Sequence, residues 1–176
     1  MLFRSLSQGE GVAFNLEYVA SDVMRFDALA RRVLLKHAGV SAPEVIEACL
    51  KIEQLYAGPL YVPDKGSPAY FTRMRDVLQG RFCDCMVKGS AVAIDEGDLA
   101  SAGWMVEAAL RQMPGREDVI RAAMRVFDMG GRRREVVSLY QGHLHVLAKE
   151  SQQLPEPETR RLYDEIITRS RARGII

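Results

Sequence analysis

The stretch that most constrains this chain is Gly97–Pro114, GDLASAGWMVEAALRQMP. Gly97 followed by Asp98 reads as the end of one helix and the N-cap of the next, and Pro114 reads as the next stop. Between them Ala102, Val106, Ala109 and Leu110 share one helical stripe. Small residues let a second helix cross closely, and the larger apolar ones fill the space beside the crossing. That combination specifies the second helix of a helix-turn-helix unit. Gly97 is expected in a left-handed or otherwise open backbone conformation, where a β-branched residue would be strained.

The rest of the chain extends the same rhythm. Ser21-Asp22 opens a helix carrying Val23, Phe26, Leu29, Ala30, Val33, Leu34 and His37, closed at Ala38-Gly39. Ser41-Ala-Pro-Glu44 reads as a capping box and opens a helix that ends near Tyr56–Gly58. The proline-rich stretch 58–68 is a loop. No proline occurs from Ala69 to Met113, and apolar spacing predicts a helix of about seven turns up to the Gly97 stop. Gly80 and Gly89 inside it cost stability unless a neighbouring helix comes close, and a break near Gly80 is the competing reading. Helices 98–113, 116–130 and 132–150 follow. Leu154-Pro-Glu-Pro157 breaks the chain again before a short final helix with Leu162, Tyr163, Ile166 and Ile167, and the tail SRARGII is expected to fray. Ahead of all this, residues 1–20 alternate apolar and polar around Gly9-Glu10-Gly11, the pattern of a β-hairpin. A lone hairpin is marginal in water, so it needs the helices or a larger sheet to pack on.

The fold class that results is all-α: a tetratricopeptide-like array of about seven antiparallel helices over 21–176, with a short N-terminal β-hairpin over 1–20. Repeats of about 34 residues mark such arrays. Gly97 and Gly131 are 34 residues apart, and the same shift pairs Asp84 with Asp118, Met86 with Ile120, Val92 with Val126, Val106 with Tyr140 and Leu110 with Leu144. Only four of those positions, with the glycines, are identical. An ordinary bundle with fortuitous spacing is the competing reading.

Composition narrows the function classes. With 48% apolar residues in 176, the chain can fill a real core. A formal net charge of +1 gives no global field to steer it onto nucleic acid or a membrane surface. No apolar run approaches a membrane span, and nothing after Met1 reads as a secretory signal. Three cysteines are an odd number, which favours a reducing cytoplasm. Cys83 and Cys85 diverge on a helix at i, i+2 and cannot chelate one ion; a buried Cys85 and a half-exposed Cys83 are expected. His143 and His145 fail as a metal pair for the same reason, and His143 aligns with Ala109 at a helix crossing. No phosphate loop and no nucleophile grouping is present. The chain reads as no enzyme, with no cofactor and no metal.

The charges carry the candidate site. Asp118, Arg121, Arg125 and Asp128 lie at i, i+3, i+7 and i+10 on one helix face, and Arg132 and Arg133 follow directly. Stacked repeats expose one helix of each pair along a concave surface. The face reads either as an Arg-lined groove for an acidic protein segment or as a solvated, self-paired surface. Trp104 lies outside the apolar stripe of its helix, so it is either packing on the next repeat or an interface anchor.

Four pieces carry a family resemblance: SDVMRFDALARR (21–32), LYAGPL (55–60), EGDLASAGWMVEAAL (96–110), and RRREVVSLYQGHLHVLAKESQQLPEPETRRLYDEI (132–166). From Phe26 to about Ile167 the chain resembles the bacterial transcriptional activator domain, the tetratricopeptide-like helical domain of antibiotic-regulatory-protein type regulators. The resemblance implies a regulatory, protein-contacting region, acting by self-association, as in a homodimer, or by contact with a DNA-binding domain or the transcription machinery. In that family a winged-helix DNA-binding domain usually precedes the helices. Residues 1–20 are too few for one and resemble only its closing hairpin, so DNA contact is expected only through a domain largely absent from this sequence. A free-standing helical-repeat adaptor unrelated to transcription is the alternative.

Overall fold

A computed structural model of the chain describes residues 5–8, 11–14, 21–35, 40–59, 69–150 and 153–172. Seven helices follow one another: α1 (Asp22–Leu34), α2 (Ala42–Leu55), α3 (Ala69–Asp95), α4 (Leu99–Gln112), α5 (Glu117–Met129), α6 (Arg133–Glu150) and α7 (Pro157–Ala172). Ahead of them Ser5–Gln8 (β1) and Gly11–Phe14 (β2) pair antiparallel, with Ser5 opposite Phe14 and Gln8 opposite Gly11. What the sequence suggests for the remainder of residues 1–20, including any relation to a winged-helix domain, lies outside the described residues. So do His37, the Ala38-Gly39 stop, most of the 58–68 loop and the end of the tail.

Local chemistry sets the helix ends. Ser21 caps α1 by accepting the Met24 N–H at 3.3 Å. Ser41 and Glu44 form the capping box at α2, the Glu44 carboxylate accepting the Ser41 N–H at 2.9 Å. Asp98 caps α4 by accepting the Ser101 N–H at 3.0 Å.

The two glycine turns settle the repeat register. Gly97 has φ +77° and Gly131 φ +72°. At the first, the Asp98 N–H donates to Ala93 O at 2.8 Å and the Gly97 N–H to Ile94 O at 2.9 Å. At the second, the Arg132 N–H donates to Phe127 O at 2.7 Å and the Gly131 N–H to Asp128 O at 3.0 Å. Both are Schellman closures, and every donor and acceptor in one has its counterpart 34 residues along in the other. The end of α3 and the start of α4 shift onto the end of α5 and the start of α6 in the same way. Backbone geometry thus repeats where the letters barely do.

α3 is the hub, packing on α1, α2, α4 and α5. It runs unbroken through Gly80. Gly89 is where a neighbour comes close: a Cβ there would sit 2.5 Å from Cys49 Sγ and 2.8 Å from Met105 Sδ. Gly80 has open space instead, so close approach accounts for one of the two glycines. The half-exposed position expected for Cys83 is corrected: Cys83 and Cys85 are both fully buried. A helix enclosed on several sides buries diverging side chains, and Cys83 faces the Ala109 carbonyl of α4 while the Cys85 carbonyl faces Cys49 of α2.

Two cores result. The first gathers Phe26, Val33, Ile52, Phe82, Met86 and Met105 from α1–α4. The second gathers Val106, Ile120, Met124, Val136 and Ile166 from α4–α7. α4 belongs to both: Met105 and Ala108 face the first, Ala102 and Val106 the second. The small-residue stripe read in the sequence is therefore the wall between two cores. Among the described residues no helix is long and apolar enough to cross a membrane.

Candidate interaction face

α5 is strongly two-faced. Val119, Ile120, Ala122, Ala123, Met124, Val126 and Phe127 are buried, which leaves 118, 121, 125 and 128 on the opposite stripe. Glu117 and Asp118 sit in its first turn, where the helix dipole favours negative charge.

Most of that stripe is engaged within the molecule. Asp118 receives Arg116 through both Nε and Nη2, each at 2.7 Å. The same guanidinium reaches Asp84 on α3 and donates to Gly80 O at 3.1 Å. The two aspartates related by the 34-residue shift are thus held by one arginine. Arg121 donates to Glu156 Oε2 at 2.5 Å and to Thr159 Oγ1 at 2.9 Å, at the start of α7. Asp128 lies 3.6 Å from Arg133 Nε and 3.3 Å from Arg169 Nη2. Arg132 stacks on the Phe127 ring at 4.5 Å and pairs with Glu107 at 3.3 Å and Glu135 at 3.2 Å. Arg125 is different: it is exposed, with no ion-pair or hydrogen-bond partner among the described residues.

Trp104 does not join this stripe. It is half-buried against the first core, which α5 enters through Val119. The remaining predicted residues fall into two groups, Asp118 with Arg121 near the start of α5 and Asp128, Arg132 and Arg133 around its end.

A pattern emerges that the sequence did not announce. Each pair of successive odd-numbered helices is joined by an arginine and a carboxylate: Asp27 with Arg81 between α1 and α3, Asp84 with Arg116 between α3 and the start of α5, and Arg121 with Glu156 between α5 and the start of α7. Such half-exposed pairs contribute about 0–1 kcal/mol each, so they set register more than they supply stability. One trace was legible: Asp84 and Asp118 align in the repeat.

A buried polar cluster lies beside Arg121. Glu117 accepts the Glu156 N–H, with both carboxylate oxygens at 2.9 Å, and lies 3.5 Å from His143 Nε2. His143 and Thr159 are buried. Burial pushes the Glu117 carboxyl up, but Thr159, the Glu156 N–H and the nearby His143 together outweigh it and hold the group below the usual glutamate range.

Reactive chemistry is disfavoured at the thiols. Burial pushes Cys49 up to about 12 and Cys83 up to about 11, so neither supplies a thiolate near neutral pH. Among the described residues no group of His, Cys, Asp and Glu is placed to hold a metal ion.

Stacked helix pairs with matched turns, two continuous cores and an ion-paired odd-helix face define a helical-repeat domain of the tetratricopeptide type. The family model of the bacterial transcriptional activator domain matches residues 21–167, and the chain belongs to that family. It is a domain of transcriptional regulators, a regulatory rather than an enzymatic class. No curated protein matches the chain.

Proposed function

We propose that this chain is the protein-contacting region of a bacterial transcriptional regulator, working through a preformed helical face and not through a chemical step. The contact is with a second copy of the chain, with a DNA-binding domain, or with the transcription machinery. The observation that supports the reading is Arg125. Among the described residues it is the one cation of the α5 stripe without a partner, and the ion pairs around it join the helices that flank it. A rigid scaffold that leaves one guanidinium of this stripe open suits an acidic protein segment. Trp104, packed on the first core, is left as a scaffold residue in this reading.

The experiment is a fusion of the chain to a DNA-binding module that occupies its operator only as a dimer. Self-association should restore occupancy, and Arg125→Glu should abolish it with helicity unchanged. A parallel fusion tests recruitment of RNA polymerase in the same cells. Silence in both arms would reject self-association and polymerase contact and leave only contact with a DNA-binding domain. Arg121 is unsuitable as the test residue, because it also bonds to Glu156 and Thr159 at the start of α7.

A further inference from the structure

We propose that α7 is a clasp, opening from the array as a unit while α1–α6 stay folded, with Glu117 as its latch. The inference does not depend on which partner the domain contacts.

Its apolar grip is far smaller than that of α5, the helix it docks on. Among the described side chains of α7 only Thr159 and Ile166 are buried, with Leu162, Tyr163 and Ile167 half-buried. α5, a shorter helix, buries seven. The apolar hold of α7 is one isoleucine, the edges of its neighbours, and the Tyr163 ring stacked on Tyr140 with centroids 3.9 Å apart.

The rest of the seam is polar, and it converges on one carboxylate. Pro155 and Pro157 have no N–H, so between them Glu156 is the only backbone donor, and it donates to Glu117. Thr159, buried in the first turn of α7, favours the ionised form of the same carboxylate and accepts from Arg121 at 2.9 Å. His143 closes the cluster from α6 at 3.5 Å. At the far end Arg169 reaches Asp128 at 3.3 Å. A seam of charges and hydrogen bonds can be replaced by water, whereas buried apolar area cannot. The proline on either side of Glu156 gives the segment a stiff entry to α7, so the helix leaves or docks as one piece. Opening uncovers Tyr140 and His143, which a partner could then reach only in the open state.

Native-state hydrogen exchange on the full chain tests this, comparing α7 amides 160–167 with α5 amides 120–126. In the wild-type chain the α7 amides should exchange at least about tenfold faster than those of α5. Glu117→Gln and Thr159→Val should each accelerate α7 by a further factor of about ten and leave α3 and α5 unchanged. Raising salt to about 1 M should act in the same selective way. A common rate for α5 and α7, shifted equally by either variant, would overturn the proposal, because the helices would then form one cooperative unit. Selective opening that neither variant changes would overturn the role of Glu117. If Glu117→Gln loses its helical signal, Thr159→Val decides alone.

Discussion

The α3–α4 pair and the α5–α6 pair turn their corners identically and fill them differently. Both first helices end in a left-handed glycine with the same two closing hydrogen bonds. Beyond the corner, the register places Ala109 against His143 and Val106 against Tyr140, all four buried. α4 is buried on two sides because it separates two cores. α6 is buried along one stripe, Val136, Tyr140 and His143. Leu110 is half-buried, and its counterpart Leu144 is exposed. The comparison separates two kinds of instruction. A turn is specified by the few residues within it. What lies between the helices is specified by what comes next, and after α6 comes a helix docked through polar groups, which Tyr140 and His143 receive.

The largest expected effect comes from matched deletions in the two cores. Met86 and Ile120 share a register position and are fully buried, one in each core. Either residue changed to alanine should cost about 2–5 kcal/mol. The informative part is the shape of the urea transition. A single shifted transition in both variants means the two cores unfold together. A second transition confined to Ile120→Ala would mean that α5–α7 can melt while α1–α4 hold, as in arrays with nearest-neighbour stability.

An intermediate effect tests the corners. Nothing lies within 4 Å of a Cβ built on Gly97 or Gly131, so a side chain there meets only backbone strain. Gly97→Val and Gly131→Val should each cost about 1–3 kcal/mol in chemical denaturation, and by similar amounts. If one is destabilising and the other is silent, the two turns are not equivalent and the repeat is one of appearance only.

Turns, caps and helix limits were legible because they depend on near neighbours: Ser41 with Glu44, Asp98 with Ser101 and Ala93, Gly97 with Ile94. The unbroken α3 followed from the absence of proline. The charged face was legible only as residue types. That Arg121 is taken up depends on Glu156 and Thr159, more than thirty residues on and across a proline break, and Arg116 finds Asp84 at a similar remove. Spacing along a helix says which residues share a face; it says nothing of what another helix brings to that face. Cys83 fails for a related reason, since one helix's periodicity does not reveal how many neighbours surround it.

The smallest effect isolates the latch from the rest of the array. The Glu117 carboxyl is held below its ordinary value when α7 is docked, because Thr159, the Glu156 N–H and His143 all favour its ionised form over the cost of burial. A carboxyl with a depressed folded pKa adds stability at pH values above the unfolded glutamate range of about 4.3, and that increment disappears as pH falls through the lower, folded value. Every other carboxylate also titrates in acid, so the wild-type curve alone is uninformative. The difference between wild type and Glu117→Gln is informative. It should be constant through neutral pH and shrink toward zero below about pH 4. Read at α7 amides the shrinking difference should be full-sized, and read at α3 amides it should be absent, because α3 does not touch the cluster. A difference of the same size at both helices would tie Glu117 to the whole fold instead of to the final helix, and would erase the contrast between interior and terminal pairs.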